Sequence, residues 1–329
     1  MTLLTHDTAP AAAVTSAVAP GITLEENTHA LLDRAAGLLY RHEALAAFRL
    51  LTPPLSALWS EARATGRAQE MQRWCREHPL HALVQQDPVT ARAASKPRGY
   101  AGDAVMMDYI YSGRPPAATS ALGAAVFEAT TCAGMGLSVR YRRQLLKSLI
   151  DDTVVGHAAP RLLSVASGHC RELEGSLAES AHFQGEFVAL DQDALSCAEV
   201  ARVHAAHRVT VVNQGVRELA NGPLGDTLGR FDLIYSAGLY DYLPDGLARR
   251  LTRRLLAMLR PGGRLLVANF VPGGSGRGYM ELFMDWTLVL RHEAAMRTLA
   301  DSVGTATTVS FHDPHRNVVY LEMGNEARG

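Results

Sequence analysis

RLLSVASGHCRELEGSLAESAHFQGEFVALDQD, residues 161 to 193, decides the fold. It opens on an apolar run, Leu162-Leu163-Ser164-Val165-Ala166, of the length and branching of a buried strand. Small residues, Ser167-Gly168, make a tight turn, and a helix is predicted from about Arg171 to Ala181. A second apolar run, Phe187-Val188-Ala189-Leu190, ends on Asp191. The whole is a strand–helix–strand unit of roughly 30 residues, the size of a βαβ crossover.

The ends of this unit carry chemistry. Ala166, Ser167 and Gly168 bend the chain where a ligand must come close to the backbone, and a residue without a Cβ suits that bend. The predicted helix would direct its free N–H groups toward the same ligand. Asp191, followed by Gln192, places a carboxylate beside the crevice, where it can accept both hydroxyls of a ribose. A dinucleotide site wants G-x-G-x-x-G for its pyrophosphate. Ser167-Gly168-His169-Cys170-Arg171-Glu172 has one glycine and ends on an acid, so NAD and FAD are disfavoured. A cofactor with a ribose and no phosphate, S-adenosylmethionine, fits better.

Four blocks in order carry a resemblance: VASGHCRE, ALDQD, Phe231 to Ser236 (FDLIYS) and Leu259 to Val267 (LRPGGRLLV). Over residues 155 to 329 the chain resembles the class I S-adenosylmethionine-dependent methyltransferases, although its glycine motif is poorer than the family's. The resemblance implies a Rossmann-like α/β sheet, mostly parallel, with a C-terminal antiparallel hairpin. It also implies the cofactor S-adenosylmethionine and a small-molecule acceptor. Ser236, Ala237 and Gly238 would leave room at the end of the fourth strand for the sulfonium. Gln214 and Gly215, after the third strand, would flank the adenine. A helix ahead of the first strand would bring Arg142 or Arg143 to the methionine carboxylate.

Three further pieces narrow the resemblance. They are KPRGYAGDAVMMDYIY (Lys96 to Tyr111), YSAGLYDYL (Tyr235 to Leu243) and MELFMDWTLVLRHE (Met280 to Glu293). They resemble bacterial carboxyl methyltransferases linked to 3-hydroxypalmitate methyl ester. On that likeness Arg98, Tyr100 and Asp103 form a substrate-gripping loop, Arg98 suiting an anionic group through its fixed fork of donors. Tyr240, Asp241 and Tyr242 face substrate or cofactor, and Trp286 and Arg291 line the substrate pocket. Plainer readings stand beside these: Asp103 as a helix cap, and Asp241 as the cap of the helix near Asp245.

Composition bounds the rest. Lys plus Arg is 32 against 33 for Asp plus Glu, so the basic footprint of a nucleic-acid binder is missing. The four cysteines form no C-x-x-C pair, which fits a reduced, cytoplasmic chain. No apolar run reaches membrane-spanning length, and no metal is implied. The oligomeric state is left open, a homodimer included. Residues 1–20 read as a disordered tail rich in Ala, Thr and Pro. Residues 21–123 read as a helical cap, broken at Pro53-Pro54, and 124–329 as the cofactor-binding domain. Helices are predicted over 124–150 and across Tyr279 to His292. The closing hairpin falls at Thr307 to Phe311 and Asn317 to Glu322.

A carboxylate acceptor needs no base, because its unperturbed pKa is near 4. A phenol, alcohol or amine would want a placed Asp, Glu or His, with Asp241 or His292 as candidates. Three functions follow in order: methyl ester formation on a small, fatty-acid-like or other acid; a secondary-metabolite O- or N-methyltransferase; and a cofactor-binding module without catalysis.

Overall fold

Short β-branched runs alternate with amphipathic helices along the second half of the chain, and they assemble a single seven-stranded sheet. The strands are β1 (Arg161–Val165), β2 (Glu186–Asp191), β3 (Val209–Asn213), β4 (Phe231–Ser236), β5 (Leu259–Phe270), β6 (Thr307–His312) and β7 (Val318–Gly324). Their order is β3-β2-β1-β4-β5-β7-β6. The first five are parallel, and β7 runs antiparallel to both β5 and β6. This is the mostly parallel sheet with an antiparallel C-terminal hairpin expected from the sequence. The computed structural model describes residues 23–132, 134–274 and 276–324. The tail predicted for residues 1–20 lies outside them.

Side-chain alternation splits the sheet into two faces. Leu162, Phe187, Ala189, Leu233 and Tyr235 face one apolar cluster, while Leu163, Val165, Val188, Leu190 and Ile234 face the other. The second cluster is closed by Leu251 and Leu255 and by Met296. The first continues without a gap through Ile110 and Leu149 to Leu32, Leu55 and Trp59 of the N-terminal helices. Each fully buried Leu or Phe in these clusters contributes roughly 1.5–3 kcal/mol.

The N-terminal half is helical, as expected, but one break is missing. The helix Ala44–Ala64 runs through Pro53 and Pro54. Both prolines are on its exposed face, as is Arg49, so the carbonyls they free can be solvated there. Leu51, Leu55 and Trp59 repeat every four residues on the buried face and hold the axis. The single helix predicted over 124–150 is two, Ala121–Thr131 and Met135–Gly156. Among the described residues no single helix is long and apolar enough to cross a membrane.

Two other expectations fail instructively. No α-helix follows Gly168. The segment is a chain of turns, Cys170 N–H to Ser167 O, Leu173 to Cys170 and Ser176 to Leu173, ending in a short 3₁₀ turn at Leu177–Glu179. Positive φ at Gly168 (55°), Cys170 (51°) and Gly175 (70°) interrupts helical geometry. Tertiary partners hold it that way, since Arg171 binds Asp108 and Glu199. Similarly, the helix predicted over 279–292 ends early, as Arg277–Phe283. Beyond it the chain is extended and engaged from outside: the Trp286 ring N–H donates to the Tyr242 hydroxyl, and the Val289 N–H donates to the Asp241 carbonyl.

Candidate functional site

A cavity of about 310 Å³ opens where β1 is flanked by β2 on one side and β4 on the other. That is the switch point of the sheet, the place where open α/β folds bind ligands. Twelve of the predicted site residues line it: Tyr100, Arg142, Ala166, Ser167, Gly168, Asp191, Gln192, Ala237, Gly238, Asp241, Tyr242 and Trp286.

The wall at the ends of β1 and β2 is fixed by the strand ladder. Val165 pairs with Leu190 in register, so the bend after β1 meets the end of β2. Asp191 is 6% exposed, and its carboxylate accepts the N–H of Gly168 and of Asp193, both at 2.8 Å. Burial pushes its pKa up, against the pull of those N–H donors. Ala166 takes a positive φ of 56° to make the bend, a conformation that costs a residue with a Cβ. A Cβ on Gly168 would sit 3.3 Å from the Ala104 Cβ, so this turn is packed against the helical half.

The helix Met135–Gly156 crosses above and brings Arg142 in, 6% exposed. Its Nη1 donates to the Ala237 carbonyl at 2.6 Å, and its Nε is buried without a partner. Arg143 turns away, donating to the Arg171 carbonyl and to Glu174.

At the other end, three loops converge. The Trp286 ring N–H donates to the Tyr242 hydroxyl at 2.7 Å, which donates on to the Ala101 carbonyl at 3.1 Å. Gly102, at φ +78°, fits between them: a Cβ there would be 2.7 Å from both Trp286 and the Tyr242 oxygen. Phe270 and Leu288 complete an apolar, aromatic wall. Asp241 is buried beside it, its Oδ1 accepting the Phe270 N–H at 2.7 Å, and burial pushes its pKa up to about 6.

Seven predicted residues lie outside the cavity. Arg98 is spent on a clasp, donating to Asp193 at 2.7 Å and to Ser196 at 2.9 Å, with the His169 ring at 3.3 Å. All three contacts use Nη1, and Arg98 does not line the cavity. Asp103 is the cap of the helix Ala104–Ser112 and the partner of Arg92. Tyr240 is fully buried on the other face of the sheet, hydrogen-bonded to Thr252. Arg291 is a clamp on the carbonyls of Tyr240 and Leu243 and on Asn269 and Asp245. Ser236 binds the Val165 carbonyl, stitching β4 to β1. Gln214 is exposed and Gly215 opens the next helix, so Val216 is the cavity's wall there. Nor does Asp241 cap the following helix, whose cap is Pro244. His292, the other candidate base, is exposed and away from the cavity.

Sequence reasoning missed Glu172, Met107, Asp108, His169 and Tyr235, all of which line the cavity. His169 lies 2.8 Å from Asp108, which Arg171 also binds, so the glycine bend is bolted to the helical half. Glu172 has a readable signal, an acid where nucleotide motifs carry a small residue.

No protein-family model and no curated protein matches the chain. Among solved structures it is similar to a possible exported protein from Bordetella parapertussis, at 18% identity and TM-score 0.61, covering 94% of this chain and 100% of that one. It is also similar to the S-adenosylmethionine-dependent methyltransferase SibL in its apo form, at 14% identity and TM-score 0.49, covering 91% and 96%. A third is magnesium protoporphyrin IX methyltransferase from Synechocystis PCC 6803 with bound SAM, at 15% identity and TM-score 0.42, covering 58% and 83%. The first likeness establishes a shared fold across nearly the whole chain, N-terminal helices included.

Proposed function

We propose that this protein is an S-adenosylmethionine-dependent methyltransferase acting on a small-molecule acceptor. The observation that carries the reading is the convergence of Gly168, Asp191, Ala237 and Gly238 on one cavity at the switch point. The residues suit the cofactor piece by piece. Asp191 offers a buried carboxylate to ribose hydroxyls. The unpartnered Nε of Arg142 offers a donor to the methionine carboxylate. In the bend after β1 the N–H groups of Ser167, Gly168 and Cys170 are taken by the Leu190 carbonyl, Asp191 and the Ser167 carbonyl, which interrupts the run of N–H groups that a diphosphate needs. When bound, S-adenosylmethionine supplies a methyl group already activated on sulfur.

The protein's own work is then to position and to exclude water. Asp191 and Arg142 fix the two ends of the cofactor. The loop 96–103 covers the acceptor end, anchored by Lys96 to Asp285 and by Arg98 to Asp193. On this reading residues 21–123 are the part that closes the acceptor end, over a cofactor-binding unit at 124–329. Tyr100, Tyr242 and Trp286 form the acceptor's wall.

The acceptor we favour is a carboxylate, giving a methyl ester, since it needs no proton removed. With Arg98 outside the cavity, its donor is the Tyr100 hydroxyl instead of a guanidinium. A hydroxyl or amine acceptor is the second reading, favoured by Asp241, a buried carboxylate at the acceptor wall with a pKa of about 6. Labelled cofactor incubated with 3-hydroxy fatty acids, amino acids and phenols separates them. Base-labile label in the acids supports the ester. Label only in phenols or amines overturns it, and no label anywhere with S-adenosylhomocysteine still bound leaves a module without catalysis.

A further inference from the structure

The floor of the cavity, away from the acceptor wall, holds two buried opposite charges that do not pair. Arg142 comes from the helix Met135–Gly156 and Glu172 from the turns after Gly168, and both line the cavity. Arg142 is 6% exposed and Glu172 7%. No ion pair joins them among the described residues. Each is held instead by a neutral protein group. The Tyr235 hydroxyl donates to Glu172 Oε1 at 2.6 Å, and Arg142 donates to the Ala237 carbonyl, its Nε having no partner.

Burying a carboxylate against a neutral phenol is costly unless a cation completes it. The same holds for the guanidinium. A ligand that relieves both must carry a carboxylate and an ammonium close together, which is the α-amino acid end of a molecule. We propose that Glu172 is the counter-ion of the α-ammonium of the bound cofactor, opposite Arg142 on its α-carboxylate. This deepens the cofactor reading above and rests on it. Tyr235 is then a positioning residue, fixing the carboxylate so that Oε2 is left for the ligand.

Burial holds the Glu172 carboxyl above its usual range, opposed by the Tyr235 hydrogen bond and by the charges of Arg142 and Arg143. The other titratable groups around it are Tyr111 on the helix Ala104–Ser112, Tyr235 on β4 and the neighbouring Cys170. An arriving ammonium favours the ionised form, so binding to the protonated form expels a proton. Affinity therefore weakens as pH falls through the raised Glu172 pKa, where the ligand must first displace that proton.

The test uses the full chain, calorimetry and two probes: S-adenosylhomocysteine, and its analogue with hydrogen in place of the α-amino group. The wild type is expected to prefer the first by about tenfold to a hundredfold, the range of a charged hydrogen bond. Glu172→Gln keeps the shape and the Tyr235 bond, and should shrink that preference to within about threefold. A second measurement needs no variant. Titrations of the wild type in two buffers of different ionisation enthalpy, carried from about pH 7 down to about pH 5 and so into the range where a raised carboxyl holds its proton, should show proton release with S-adenosylhomocysteine that grows as pH falls, and none with the analogue. Glu172→Gln keeping the full preference, or equal proton counts for both probes at every pH down to about 5, overturns the proposal while the cofactor reading stands. A wild type that binds neither probe overturns both.

Discussion

The two ends of the cavity are built in opposite ways. The end we assign to the cofactor comes from the termini of β1, β2 and β4, neighbours in a ladder that fixes Gly168, Asp191 and Ala237 relative to one another. The acceptor end comes from three stretches far apart in sequence, around Gly102, Tyr242 and Trp286, joined by a two-step relay of hydrogen bonds. A ladder shares its constraint among many backbone bonds, whereas a relay depends on each member. The first end should be robust to changes elsewhere, and the second should be where small changes redirect substrate choice.

The largest expected effect is at the robust end. Asp191→Ala removes the proposed ribose acceptor and also strips the Gly168 and Asp193 N–H groups of their partner. S-adenosylhomocysteine should bind about 100-fold more weakly, the sum of two charged hydrogen bonds. Unchanged affinity by calorimetry would remove Asp191 from the site. Gly102→Val attacks the relay, because its φ of +78° and its neighbours at 2.7 Å leave no room for a side chain. Turnover should fall about tenfold or more through the strain of overpacking, with cofactor affinity within about threefold. Equal losses at both ends would mean that they are not separable.

Arg98→Ala tests the clasp between them. Since Arg98 grips Asp193, two residues past Asp191, we expect cofactor affinity and acceptor KM to worsen together, each by about threefold to tenfold. A change confined to KM would make Arg98 a direct acceptor ligand after all. The smallest effect is in pH dependence. If Asp241 removes a proton from the acceptor, kcat falls as pH drops through about 6, and Asp241→Asn abolishes that inflection. A carboxylate acceptor gives a flat profile. The sign for stability is the reverse: with a folded pKa above the unfolded value near 4, Asp241's contribution declines as pH rises toward 6.

The sheet was legible because its strands are short apolar runs stopped by turn residues. Phe231 to Ser236 is matched residue for residue, and Phe187 to Asp191 gains only Glu186. Asp191, Gly168 and Arg142 were readable because strand ends and the preceding helix have set places in this architecture. The failures share a cause. At Arg171 to Ala181 and at Met284 to His292, side chains bind partners on other elements, 28 to 63 residues away, and those bonds outweigh helix propensity. Arg98 misled for the same reason: its residue type announces an anion, and only the fold reveals that the anion is Asp193. Glu172 was visible as an acid in an unusual place, but its value depends on Arg142 facing it unpaired.

One apolar cluster passes without interruption from Leu32 in the first helix to Tyr235 beneath the cavity. Helices and sheet are therefore soaked in the same oil, and neither can melt while the other stays dry. A calorimetric scan should meet a single transition, and excising the first helices should cost the remainder its solubility.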